Sequence, residues 1–431
     1  MRRLVIESPT LQRTKLKDGA MIRNNSTSHM MTRRRLIGSA GASSLALVSS
    51  PSWARTMVDL HLPGGPSARA LTTAFPQKAE MILQRTRPPL LETPWSVFDK
   101  SLFTPNDQFY VRWHWAMIPL SIDVETFRLK VHGTVARTLS LSLRDILQMP
   151  RVELAAVNQC SGNSRGFFAP RVQGGEWENG AMGNALWTGV RLKDVLDRAG
   201  VTPNAVQVRF HGLEEPVIEG GPRFMKSLAI DHARDGDVMI AYAVNGAPLP
   251  LLNGFPLRLV VPGWYATYWV KMLSDIEVLD EPDANYWTKQ AYLIPDTQHA
   301  DMQPGQKGVP MIPINRMVPR SFITNLSSGT RLRVGEHRAL RGIAFGGDCG
   351  VAAVDLSTDG GKSWHAARLG RDEGPYSFRH WQTEFTPLEP GKYVLMVRCT
   401  NRNGAAQPVI ANWNPGGFMR NVIESTDVSA D

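Results

Sequence analysis

The apolar positions of this chain follow two rhythms, and the balance between them shifts along its length. Runs rich in Val, Leu and Phe predict strands at 127–131, 206–210 and 257–261. Residues 142–147 predict a short helix with Ser142 as its N-cap. Leu192, Val195, Leu196 and Ala199 repeat at helical spacing, and Gly200 is the expected stop. Neither helix is long, and strands and helices do not alternate regularly. That pattern predicts an α+β domain over a doubly wound sheet. Beyond residue 319 the reading turns all-β, with short strands expected at 330–334, 339–345, 351–357, 364–369 and 393–397. Asp359-Gly360-Gly361 lies between two of them as a hairpin turn. Short strands so spaced predict an immunoglobulin-like β-sandwich.

Proline marks the expected joints. Residues 63–94, rich in Pro and Arg, read as an arm or loop region, with compact structure beginning near Phe103. Five prolines between 295 and 319 read as a linker. The expected organisation is a leader at 1–54, an arm at 55–102, a mixed α/β catalytic domain at 103–300 and a β-sandwich at 301–431.

Composition alters this picture in one respect. The chain has 431 residues and a net charge of +9, which on its face suggests a polyanionic partner. Residues 1–54 hold nine basic and two acidic side chains, so this segment carries +7 and the remainder +2. The same segment has the parts of a twin-arginine signal peptide. Arg33-Arg34-Arg35 precedes a weakly apolar Ala/Gly/Ser stretch, and Ser52-Trp53-Ala54 has the form of a cleavage site. A start at Met30 or Met31 would give it ordinary length. No later stretch reads as a membrane span. The expectation is a periplasmic protein exported folded, with no nucleic acid partner.

Three constellations could carry chemistry. In Tyr110-Val111-Arg112-Trp113-His114-Trp115, strand alternation puts Tyr110, Arg112 and His114 on one face and the apolar residues on the other. A fixed cation beside a histidine suits an anion. In Asn158-Gln159-Cys160-Ser161-Gly162-Asn163-Ser164-Arg165, an apolar run feeds a cysteine, a loop of small residues and an arginine. A single thiolate is a ligand for a thiophilic metal, with the remaining ligands to come from a cofactor. Cys349 and Cys399 could pair, which would leave Cys160 free. Around Asn253, a strand bracketed by Gly and Pro turns offers Arg258 and Lys271 to a phosphate. No P-loop, His-Glu-x-x-His or Cys-x-x-Cys-His motif is present.

Taken in order, these blocks resemble the sulfite oxidase family of molybdopterin enzymes. They run from Phe109-Tyr110-Val111-Arg112-x-His114 and Gln159-Cys160-Ser161-Gly162-Asn163-x-Arg165 to Gly254-Phe255-Pro256-x-Arg258 and Val270-Lys271. Tyr286-Trp287-x-x-x-x-Tyr292 and Asp359-Gly360-Gly361-x-x-Trp364 follow. The resemblance implies a molybdenum-molybdopterin cofactor, one per chain, with Cys160 as the metal-bound thiolate. It implies that Arg112, His114, Asn253, Arg258 and Lys271 contact the cofactor. Arg112, His114, Arg165 and Tyr292 would join Cys160 in the catalytic pocket. Asn253 stands where animal members carry a pterin-binding histidine, and Cys349 near a position where they supply a further pocket arginine. The implied activity is oxidation of sulfite to sulfate, with electrons passed singly to a c-type cytochrome, as no haem is expected in this chain. Alternatives are a sulfane dehydrogenase subunit or sulfoxide reductase of the same superfamily, and a non-catalytic periplasmic scaffold. Assembly as a homodimer or with a cytochrome subunit stays open.

Overall fold

The structure is a computed structural model and describes residues 56–431. The leader and its twin-arginine motif lie outside the described residues. Five sheets and a two-stranded ribbon make up the fold, joined by few and short helices.

The segment read as an arm is a sheet. Met57–Asp59, Ala68–Thr72, Met81–Arg85 and Leu90–Glu92 pair in sequence order, and Val111–Arg112 closes the edge. The compact part therefore begins well before Phe103, with Met81, Ile82, Leu90 and Leu91 buried. The prolines that suggested a loop fall between these strands, at the turns, where they remove no ladder bond.

Two sheets form the central domain. In the mixed sheet, Gln207–Gly212 lies between Met225–Ala229 and Leu273–Leu279, and Leu273–Leu279 pairs in parallel with Leu129–Gly133. The other sheet is antiparallel, with Met182–Arg191 between Arg151–Gln159 and Met239–Val244, and Arg258–Val260 added to the latter. Both predicted helices are present. Ser142 caps Leu143–Leu147 in a box with Asp145, each side chain bonding the other's backbone N–H. Leu192–Ala199 ends at Gly200, whose φ of +72° is the left-handed stop that glycine adopts without strain.

The C-terminal strands form a sandwich. One sheet holds Arg320–Ile323, Arg338–Phe345, Arg379–Phe385 and Arg368–Leu369. The other holds Thr330–Leu332, Glu424–Ala430, Gly391–Asn401, Val351–Ser357 and His365–Ala366. Leu340, Leu356, Trp381, Leu395 and Val397 are among the buried side chains between them. Asp359-Gly360-Gly361 makes the expected turn, with Asp359 Oδ1 accepting from the Lys362 and Ser363 amides. The proline-rich joint is not bare linker, since Leu293–Pro295 and Met311–Pro313 pair within it. All three cysteines are free, so Cys349 and Cys399 form no disulfide. Among the described residues no helix is long and apolar enough to cross a membrane.

Candidate active site

One cavity gathers the cationic and thiol groups singled out above. Arg112, His114, Cys160, Asn253, Arg258, Lys271 and Tyr292 all line it. They arrive on separate elements. Val111–Arg112 is the edge strand of the N-terminal sheet. Past it the chain leaves strand geometry, yet the alternation persists. Trp113 turns away to donate to the Leu252 carbonyl at 3.0 Å, while Arg112 and His114 face the cavity. Cys160 follows the long strand Arg151–Gln159, where the chain turns into a short 3-10 helix beginning at Arg165. A Cβ on Gly162 would collide with the Arg165 guanidinium, so only glycine lets that side chain fold back here. Asn253 ends the 3-10 turn Leu251–Asn253, and Gly254 follows at φ +114°. A Cβ on Gly254 would stand 3.2 Å from Lys271 Cα and 3.3 Å from Arg258 Cβ. This close approach is what brings the two cations to one wall.

Electrostatics set this cavity apart. Arg258 is buried, donates to the Asn253 carbonyl at 2.9 Å and Asn158 Oδ1 at 3.2 Å, and lies over the Trp187 and Trp269 rings. Burial pushes its guanidinium down to about 10. Lys271, with Nζ 4.3 Å from the Trp113 ring centroid, is pushed down to about 7 by burial and by Arg258 and Arg112, against the pull of Glu214. Among the described residues no carboxylate lines the cavity. Glu214 stands behind it, with Oε2 accepting from the His114 and Trp115 amides at 3.0 Å each and Oε1 3.5 Å from His114 Nδ1. Although buried, Glu214 is held down to about 2, chiefly by His114. His114 itself is held well below its ordinary value by burial and Arg112.

His114 and Tyr292 form a pair, Nε2 to hydroxyl, at 2.7 Å. Tyr292 has a φ of +57°, which costs a non-glycine residue about 1 kcal/mol or more. Its carbonyl accepts from the Ile314 amide, and its ring stacks on Phe418 at 5.3 Å, which together hold it there. Phe224 stacks on His114 at 3.5 Å, and the edge of Trp287 closes from the side at 5.0 Å.

Arg165 is the exception among the expected site residues. It does not line the cavity. Its guanidinium donates to the Gly416 and Gly175 carbonyls and lies 5.2 Å from the Phe418 ring centroid. Cys349 does not line the cavity either. Sequence reasoning missed Glu214, Phe224, Lys226 and Lys78. Lys226 is fully buried, donates to the Trp287 carbonyl at 2.8 Å, and has Nζ 5.6 Å from the Tyr292 ring centroid. None of these four belongs to a motif. Only Lys226 carried a signal, a charge within a largely apolar run, and that is too common to stand out.

Several polar atoms of the wall are buried without a partner, among them Arg112 Nη1, Ser161 Oγ, Arg258 Nε and Thr267 Oγ1. Buried polar atoms are normally satisfied, so such a group marks room for an acceptor-rich anion. The donor set fits a phosphorylated pterin, and Cys160 offers one thiol to a metal whose other ligands the pterin carries.

Comparison with known proteins agrees. The chain is 30% identical to sulfite oxidase of Gallus gallus over 382 residues, covering 83% of this chain and 80% of that protein. The chain belongs to the sulfite oxidase family. Residues 115–287 match the family model of the oxidoreductase molybdopterin binding domain, and 312–429 that of the Mo-co oxidoreductase dimerisation domain. The mitochondrial sulfite oxidases of Rattus norvegicus and Homo sapiens are each 33% identical over 78% of this chain, and the match spans 63% of their length. The fold is also that of the sulfane dehydrogenase SoxCD from Paracoccus pantotrophus, with a TM-score of 0.66 and 24% identity, over 78% of this chain and 83% of that one.

Proposed function

We propose that this chain is a periplasmic sulfite dehydrogenase, exported folded by the twin-arginine route. In this reading it oxidises sulfite to sulfate and passes electrons singly to a c-type cytochrome. The observation that carries the reading is the cavity that joins Cys160 to Arg112, Arg258 and Lys271 with no carboxylate in its lining. Cys160 holds the molybdenum. Arg258, Lys271 and Asn253 hold the pterin phosphate. Arg112, His114 and Tyr292 receive the substrate oxyanion, and Arg165 backs them from behind Phe418. When bound, the molybdenum centre supplies oxygen-atom transfer to sulfur and takes up two electrons.

The chain's own groups orient and neutralise. With the Glu214 carboxylate beside Nδ1, the proton of neutral His114 sits on Nδ1, and Nε2 accepts from the Tyr292 hydroxyl. Burial raises the Tyr292 phenol above its ordinary value, so it stays protonated. Arg112 is then the permanent charge, and its planar fork matches two oxygens of an oxyanion. Phe224 and Trp287 keep water from this pair, which strengthens each contact. The test is sulfite-dependent reduction of a c-type cytochrome by the purified mature protein. Reduction with sulfite supports the reading. A molybdenum-loaded protein that turns over another sulfur compound and ignores sulfite would overturn it.

A further inference from the structure

Lys78 belongs to no motif and comes from the segment read as an arm, yet it is 8% exposed. Its ammonium donates to the Asn106 carbonyl at 2.8 Å, the Phe109 carbonyl at 2.9 Å and Asn253 Oδ1 at 2.5 Å. Three N–H groups meet three acceptors, so the geometry is complete. Among the described residues no carboxylate hydrogen-bonds to it, and burial pushes it down to about 7, with Arg258 adding to the effect against the pull of Asp107. A buried cation with no carboxylate hydrogen-bonded to it is costly. If its only task were to tie the segment down, a neutral donor would do so more cheaply.

What Lys78 holds explains the charge. Asn253 is pinned at three points. Its Oδ1 accepts from Lys78, its Nδ2 donates to the Tyr110 carbonyl at 3.0 Å, and its own carbonyl accepts from Arg258 Nη1 at 2.9 Å. Arg258 Nη2 and the Tyr110 hydroxyl meet on the same atom, Asn158 Oδ1. Lys78 thus heads a closed circuit of hydrogen bonds that ends on the cavity wall. We propose that Lys78 is a positioning residue for the anionic cofactor: it fixes Asn253, through it Arg258, and places a further buried positive charge behind the phosphate subsite. The proposal rests on the reading that Asn253, Arg258 and Lys271 hold a phosphorylated pterin.

The experiment compares the molybdenum-loaded wild-type chain with K78M, K78Q, N253A and the K78M/N253A double variant. Bound molybdenum per chain is followed by metal analysis after dilution, and the melting of each cofactor-free chain is measured alongside. K78M should lose molybdenum roughly tenfold faster than wild type. K78Q keeps one donor without the charge and should fall between them. The double variant should be no worse than the worse single one, because both break the same circuit. Should K78M fail to fold, K78Q decides the same point. Wild-type retention in the lysine variants, with only a lowered melting temperature, would make Lys78 a structural anchor and overturn the proposal while leaving the function intact. A wild-type chain without molybdenum would overturn the functional reading itself.

Discussion

Arg258 and Arg320 are both buried arginines that begin strands, and their surroundings differ in kind. Arg320 opens the sandwich, and its Nη2 donates to Glu424 Oε1 at 2.6 Å, with Asn179 and Gln159 as further acceptors. Its charge is answered within the protein. Arg258 has two neutral oxygens and two indole faces. Lys271 beside it feels the pull of Glu214, which stands behind the cavity and does not hydrogen-bond to it. A chain bears unanswered buried charge at a net cost, and a cavity that concentrates such charge is built for something that is absent from the polypeptide. The sandwich is finished by folding, whereas the cavity is finished by binding.

The contrast can be broken in several ways. Most severe is Cys160→Ser, which should reduce sulfite-dependent cytochrome reduction to background while the melting temperature of the cofactor-free chain stays put. Full activity would remove the thiol from the mechanism.

Next come the two arginines in the cofactor-free chain. Arg320→Met leaves Glu424 with Arg420 as its remaining partner and should cost about 2 kcal/mol in denaturant unfolding. Arg258→Met removes a charge that nothing answers, and should leave stability unchanged or raise it, while abolishing molybdenum retention. Equal losses from both substitutions would erase the contrast.

pH gives a smaller effect. Lys78, Lys226 and Lys271 are each pushed down to about 7 when folded and return to about 10.5 when unfolded. Between these values the unfolded chain binds more protons, so stability rises with pH. Glu92 and Glu178, raised to about 7 and about 8, act the other way below pH 8, because there the folded chain holds the extra protons. The cofactor-free chain should therefore gain melting temperature from pH 8 towards pH 10. The gain should shrink in the loaded protein, where a bound anion keeps Lys78 and Lys271 charged. A rise of the same size in both forms would mean that no anion answers these lysines.

The smallest expected effect is Arg165→Gln, which should raise the sulfite KM a few-fold. An unchanged KM would leave Arg165 as a prop for the Gly416 turn alone.

Much of this was legible in the sequence. The Ser142 cap, the Gly200 stop and the alternating runs of the sandwich sit where local chemistry put them. The blocks around Arg112, Cys160 and Arg258 were visible because each is contiguous. The strands Arg379–Phe385 and Glu424–Ala430 were hidden by thin alternation, with two buried positions in seven in each. The N-terminal sheet was masked by prolines that mark its turns. Glu214 and Lys78 act on partners 100 and 175 residues away, and no local pattern encodes such a distance. Whether Cys349 and Cys399 pair was open from the sequence, because two cysteines in one β-rich region say nothing of whether their sulfurs can meet; both are free.

The central claim is that the unanswered charge around Cys160 is answered by a molybdenum-pterin anion. Metal and pterin analysis of the purified, folded protein tests it most directly. About one molybdenum and one phosphorylated pterin per chain is the result expected. A correctly matured, fully folded chain that carries neither would contradict the account.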